Sequence, residues 1–497
     1  MRRLLIILLT CCYLQPVSAQ DVQGIEIKSL DELLVAPSDS SQILSLESFM
    51  TFILAGHPVV KQADLLPEVA RQEIRLARGA FDPKLEASLD NKHFDNKEYW
   101  NILSTSLKVP TWFPIDPKIS VDRNRGLFLN PENAIPMDDN FRQVTAGISL
   151  PVGRGLIIDQ RRAAVKQAQI FVEINDAERI KLINKILLSA AKDYWNWYFA
   201  YSNYRLVDES MRISEEIYRR VRLDFDFGEV AAIDTVQAAI TLQNRMIDRR
   251  SALIEFKRSG LILSNYLWGE NEEPLELKDE LIPDFILEDQ MRMPVATLDS
   301  LTQLAMVRHP DLVKTTGKLG QLSIEERLAR ENLKPRVDLN YNVINTPVGP
   351  GGDFREFQLR ENYKLGISFE FPLFLRKERA KLKQTRIKID QTSYELNLRQ
   401  QEIVNDISAG YFALSNSREM LGLMQQAVNN YERLLEAELF NLDIGESDLF
   451  KINFQQDKLL ESRIKLMKLK AEVEKARVTL YWSAGVPYLN FESLYLD

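Results

Sequence analysis

Of 497 residues, only two are cysteine and three are histidine. Cys11 and Cys12 are adjacent and lie within the first twenty residues, so the rest of the chain carries no disulfide framework and no thiol nucleophile. The histidines show no HExxH spacing, which excludes that zinc-hydrolase pattern. No nucleophile–base constellation emerges, and no cofactor is expected. The glycine-rich VGPGGD at 348–353 lacks the GK[ST] of a phosphate loop. Beyond the first twenty residues, nothing approaches the roughly 18 unbroken apolar residues of a membrane helix. Basic residues are also in deficit, 63 Lys and Arg against 71 Asp and Glu with no basic stripe, which argues against a nucleic-acid partner.

The chain opens with Arg2-Arg3, an apolar run from Leu4 to about Leu14, and Val17-Ser18-Ala19. A basic start, an apolar middle and a small-residue cleavage site make residues 1–19 a secretory signal peptide. The run ahead of Cys11 is short and Thr10 precedes it, a poor lipoprotein signal. Losing Arg2 and Arg3 moves the net charge from −8 to −10. At 45% hydrophobic and 27% charged, the chain is of globular composition.

In FDPKLEASLD, Phe81 to Asp90, apolar and polar residues alternate without a slip, which predicts a strand with one dry and one wet face. One strand leaves open whether the dry face meets a protein core or lipid. The chain is, however, written twice. LESFMTFILAGHP from Leu46 returns as LDSLTQLAMVRHP from Leu298, and FDPKLEASL returns as LKPRVDLNY from Leu333. GISLPV from Gly147 answers GISFEFPL from Gly366, and RAAVKQAQI from Arg162 answers RAKLKQTRI from Arg379. Each copy reads helix, strand, loop, strand, long helix, turn, helix, with the longer central loop, about Phe94–Asn140, in the first copy. The boundaries are a 20–45 segment, a first repeat at 46–270, a connector at 271–297, a second repeat at 298–487 and a tail at 488–497.

From Leu156 to Phe227, 72 residues contain neither glycine nor proline, a rod of roughly 100 Å at ~1.5 Å per residue. In the second copy Ile403, Ile407, Tyr411, Leu414, Leu421, Met424, Val428, Tyr431 and Leu435 form a heptad-like seam. Returning helices from about Asp234 to Trp268 and Glu446 to Ala484 predict antiparallel rods, one continuous and one stacked from shorter pieces. The aromatic DYWNWYFAYSNY, Asp193–Tyr204, sits midway along a rod and reads as core packing.

Each copy places two strands of bilayer-crossing length at one end of its rods, four in all. Four strands cannot close in lipid, where open edges are forbidden. The fold class is therefore mainly α with a membrane β-barrel shared among protomers. Leu85, Leu89, Val337, Leu339, Ile367 and Phe369 are the expected lipid-facing residues.

Signal peptide, tandem copies, the HP-containing first helix, paired alternating strands and the glycine-marked turn FDFGEVAAIDTVQAA together resemble the TolC family of outer-membrane efflux proteins. FEFPLF followed by a charged helix is also similar to that family. The resemblance implies a homotrimer with a twelve-stranded barrel in outer-membrane lipid and a helical tunnel in the periplasm. The tunnel's tip would dock a periplasmic adaptor (membrane fusion) protein bound to an inner-membrane pump, the chain being a passive exit duct for efflux or type I secretion. It also implies a gate at the helical turns. Gly228 and Asp234 match the first turn, with Glu229 a further candidate at this tip, and Asp234 equally fits a helix cap. Gly445 matches the second, but Lys451 and Phe454 occupy positions where relatives place an acidic ring. Asp443, Glu446 and Asp448 lie close by, as a substitute ring or as a solvated turn. Leu223, Phe225, Phe227, Leu439, Phe440 and Leu442 are candidates for adaptor contact, or close the end of the coiled coil. The rival reading is a non-conducting periplasmic scaffold or adhesin anchored in the outer membrane.

Overall fold

The computed structural model describes residues 42–486, apart from 131, 133, 136, 138–139, 229, 270, 279, 285–295, 352–359 and 445. The expected signal peptide, most of the 20–45 segment and the 488–497 tail fall outside this set.

The first copy begins with β1 (Gln42–Leu44) and three helices, α1 (Leu46–Gly56), α2 (Pro58–Asp64) and α3 (Leu66–Arg78). Together they form the first, stacked stretch of the copy. Proline explains the breaks: it lacks the N–H a helix interior needs, so it restarts a helix at its first turn. At Pro58 the preceding His57 caps the new helix, its Nδ1 accepting from the Val59 N–H at 3.1 Å. The second copy repeats this device between α6 (Leu298–Arg308) and α7 (Pro310–Glu331), where His309 Nδ1 accepts from the Asp311 N–H at 3.2 Å.

The two long rods are α4 (Gln160–Asp226, 67 residues) and α8 (Arg376–Asp443, 68 residues). Each turns back into a shorter helix, α5 (Ala232–Ser264) and α9 (Leu449–Ser483). The α4 rod packs along α5 and along α1 to α3, and α8 packs along α9, α6 and α7, so each copy sets a continuous rod against helices stacked end to end. The heptad-like seam is the observed core, with Ile403, Ile407, Leu414 and Val428 buried and Leu421, Met424, Tyr431 and Leu435 packed beside them. The aromatic stretch is core as well: Tyr194, Trp197, Tyr198, Tyr201 and Tyr204 are buried with Phe49, Phe256 and Tyr266. Its polar ends are anchored, since the Tyr194 hydroxyl donates to the Leu44 carbonyl at 2.8 Å and the Tyr266 hydroxyl to Asp193 at 2.6 Å. Burial raises the pKa of both phenols. The first bond ties the rod to a small parallel sheet in which β1 pairs with β6 (Leu281–Pro283), one strand from each flanking segment.

The main sheet departs from expectation. It holds six antiparallel strands, not four: β2 (Lys84–Phe94), β3 (Lys97–Lys108), β4 (Asp116–Arg125), β5 (Gln143–Pro151), β7 (Arg336–Ile344) and β8 (Tyr363–Glu370), in that order. The stretch read as one long loop between Phe94 and Asn140 contains β3 and β4. Leu103, Thr105 and Leu107 alternate there with Ser104, Ser106 and Lys108, and Ile119 and Val121 with Lys118, Ser120 and Asp122. A two-residue turn joins β2 to β3, with Asp95 and Asn96 both at positive φ, 50° and 56°, as tight hairpins with Asp or Asn require.

Candidate functional site

The six strands are bonded in a continuous register, so the rows across the sheet can be read directly. One row runs Leu85, Leu107, Ile119, Ala146, Val343, Tyr363, and others pair Leu89 with Leu103, Leu339 with Ile367 and Val337 with Phe369. All six residues expected to be lipid-facing therefore share one face. The opposite face is polar, with Glu86, Ser106, Ser120 and Thr145 in one row.

Exposure is inverted relative to a soluble sheet. On the apolar face of the inner strands Ile119 is 51% exposed, Ile148 45% and Leu107 40%. On the polar face Ser106 is only 6% exposed, Ser120 9% and Gln143 5%. The extensive contacts of these strands are with one another, and no helix covers the apolar face among the described residues. A twisted sheet enclosing its polar side and presenting leucine, isoleucine and phenylalanine outward is a segment of a barrel wall. Among the described residues, neither edge strand, β2 or β8, has a further partner.

The other end of the rods is the helical tip. Gly228 follows α4 at a φ of +79°, a left-handed conformation that glycine adopts without penalty at a helix C-terminus. Asp234 lies in the first turn of α5, and its carboxylate accepts from the Ala231 N–H at 3.1 Å. The structure thus gives Asp234 a capping role within one chain. Asp448 caps α9, accepting from the Lys451 N–H at 2.9 Å. Glu446 is exposed beside it, Asp443 is the last residue of α8, and Glu229 and Gly445 lie outside the described residues. Leu223, Phe225, Phe227, Leu439 and Phe440 are exposed and Leu442 is half-buried.

Above the tip, the returning helices of the two copies are cross-linked. Arg245 on α5 pairs with Asp457 on α9, and also with Asp248 at 3.1 Å. Arg249 pairs with Asp208 on α4, and its guanidinium reaches the Tyr204 hydroxyl at 3.4 Å. Residues 212 apart in sequence leave no spacing signal, so the Arg245–Asp457 link was not legible in the sequence. Among the described residues no group of three or more His, Cys, Asp or Glu gathers as a metal site, and no helix is long and apolar enough to cross a membrane.

Residues 301–486 match the family model for outer membrane efflux proteins. No curated protein sequence matches the chain. Solved structures do. The Campylobacter jejuni CmeC outer membrane channel is 14% identical with a TM-score of 0.60, over 88% of this chain and 85% of its own. The Vibrio cholerae outer membrane protein VceC is 14% identical with a TM-score of 0.60, over 89% and 96%. The open state of the Neisseria gonorrhoeae MtrE outer membrane channel is 15% identical with a TM-score of 0.60, over 89% of each. The resemblance to the TolC family of outer-membrane efflux proteins holds: the second copy carries the sequence pattern of the outer membrane efflux proteins, and the chain as a whole carries the fold of outer-membrane channels.

Proposed function

We propose that the protein is the outer-membrane exit duct of a tripartite efflux or type I secretion machine, a passive channel continued into the periplasm by its helical rods. The observation that carries this reading is the inverted sheet, whose inner strands expose their apolar face and enclose much of their polar one. Such a wall is stable only with lipid outside, water inside and both edges paired. The edges are complementary for ring closure. β2 leads outward from the helices and β8 leads back, so β8 of one copy pairs antiparallel with β2 of the next. Three copies, the number implied by the family resemblance, then supply eighteen strands rather than twelve. Barrel diameter grows roughly linearly with strand number, giving a wall about half as wide again.

The exposed apolar tip formed by Leu223, Phe225, Phe227, Leu439 and Phe440 fits docking on a periplasmic adaptor protein bound to an inner-membrane pump, which supplies the energy. The acidic residues Asp234, Asp443, Glu446 and Asp448, repeated around the axis, favour cations at the closed tip. Planar-bilayer recording tests the reading. The purified detergent-soluble oligomer gives discrete conductance steps if it is a duct and none if it is a scaffold or adhesin.

A further inference from the structure

The polar face of the sheet carries a second, basic row. Lys84 on β2 lies directly opposite Lys108 on β3, and Lys108 directly opposite Lys118 on β4. The same row continues through Gly147 on β5 and Asn342 on β7 to Lys364 on β8. Four of its six positions are therefore lysine, three of them on consecutive strands. Strands stand about 4.8 Å apart, and like charges directly opposite one another in a sheet are destabilising. None of the four ammonium groups has an ion-pair partner among the described residues. The acids that share this face are held elsewhere or stand off. Asp116 pairs with Arg161 at 3.2 Å, Asp338 pairs with Arg336 at 2.6 Å, and Asp122 accepts from the Ser104 hydroxyl. Glu86 and Asp90, further along β2, do not close on the lysines, and Glu370 lies at the other end of β8 from Lys364, opposite Arg336.

The middle of the row is low. A Cβ placed on Gly147 would lie 1.9 Å from Asn342 Oδ1, so the Asn342 amide lies across the glycine, and no tall side chain separates Lys118 from Lys364. Strands tilt in a barrel, so a row perpendicular to them climbs the wall. Lys84, Lys108 and Lys118 stand near the helical end of their strands, and Lys364 near the opposite end of β8.

Resting on the duct reading above, we propose that this row is an anion-binding ramp on the lumen wall, at which carboxylate- or phosphate-bearing solutes replace the missing counter-charge as they pass. Repeated in each protomer, it biases the barrel toward anions, opposite in sign to the acidic tip.

The test is the reversal potential of single channels in a salt gradient. The protein carries Lys118→Cys in a background with Cys11 and Cys12 replaced by serine. An anionic sulfonatoethyl methanethiosulfonate reagent is added after insertion, so the charge changes in a channel that has already folded. The expected result is a fall in the chloride-to-potassium permeability ratio of about two- to fivefold. The same direction is expected of Lys84→Gln/Lys108→Gln/Lys118→Gln/Lys364→Gln, and no change of Leu85→Cys treated identically. Conducting channels whose selectivity is unmoved by both the reagent and the quadruple variant overturn the ramp while leaving the duct intact. Absence of conductance from the unsubstituted protein overturns the duct, and the ramp with it.

Discussion

Gln167 on α4 and Gln321 on α7 exchange hydrogen bonds. The Gln167 amide donates to the Gln321 backbone carbonyl at 3.2 Å, and the Gln321 amide donates to the Gln167 carbonyl at 3.1 Å. The pair joins a rod of the first copy to a helix of the second. It is possible because α7 carries glycine where the helices meet. A Cβ at Gly317 would lie 2.7 Å from Ile174 Cγ1, and one at Gly320 would lie 3.1 Å from Ile170 Cδ1. Replacing Gly317 by Leu pushes the helices apart and breaks the reciprocal bonds. The expected cost is about 1–3 kcal/mol from overpacking, seen as a lower midpoint of helix loss by circular dichroism. Gln167→Ala, which removes one partner only, costs about 1 kcal/mol.

The exposed apolar face makes a position-specific prediction. Leu85→Arg or Ile367→Arg puts a charge where lipid is expected, at about 2–4 kcal/mol per site near the midplane and less toward the interfaces. The expected result is reduced outer-membrane insertion, measured as folded oligomer in detergent extracts of the membrane fraction. Ser88→Arg lies on the polar face of the same exposed edge strand. It leaves insertion unchanged, a contrast that a soluble sheet does not give.

His309 predicts a pH dependence of stability. Its Nδ1 caps α7 only while unprotonated, and Asp311, Lys181, Arg399 and Asp406 are the charges around it. Burial is the largest influence and lowers its pKa below the ordinary 6.5, with Lys181 and Arg399 acting the same way and the two aspartates opposing. The folded chain therefore binds fewer protons than the unfolded one just below pH 6.5, so stability rises with pH there. Stability is present in full above that value and is lost as pH falls toward the lowered folded pKa. His57, which burial also lowers, adds in the same direction. His57→Asn/His309→Asn keeps a side-chain acceptor at each cap but does not titrate. The expected outcome is a flatter dependence of the urea midpoint between pH 7 and 5 than the unsubstituted protein shows.

Much of this architecture was legible because its signals are periodic. The run from Leu156 to Phe227 contained the 67-residue rod to within a few residues, and the apolar alternation in β2, β7 and β8 gave the face that each strand presents. What failed was inference by analogy between the copies. The shorter stretch between the strands of the second copy was read as a loop, so the longer insertion at Phe94–Asn140 was read as one too, although Leu103 to Lys108 alternate as plainly as Leu85 to Asp90. The ion-pair links failed for a different reason. Arg245 and Asp457 are ordinary helix-surface charges until folding packs both α5 and α9 on the α4 rod and brings the two side chains within reach, and no local pattern marks such a pair. Asp234 was legible in both its senses, and the structure supplies the cap.

That leaves the tip, where cap and gate are separable by experiment. Asp234→Ala removes the bond to the Ala231 N–H and costs about 0.5–2 kcal/mol of local helix stability whichever role it has. Asp234→Asn keeps a side-chain oxygen able to accept that bond but removes the charge, so only an electrostatic gate is affected by it. Arg245→Ala touches neither cap nor turn. It releases Asp457, uncoupling the returning helices of the two copies above the tip. If closure of the tunnel depends on these helices staying together, Arg245→Ala raises the open fraction and mean conductance of bilayer-inserted channels severalfold, while thermal unfolding stays close to that of the unsubstituted protein. If Arg245→Ala conducts as the parent does and Asp234→Asn is also silent, closure lies in neither, and the carboxylates at this end serve the helices alone.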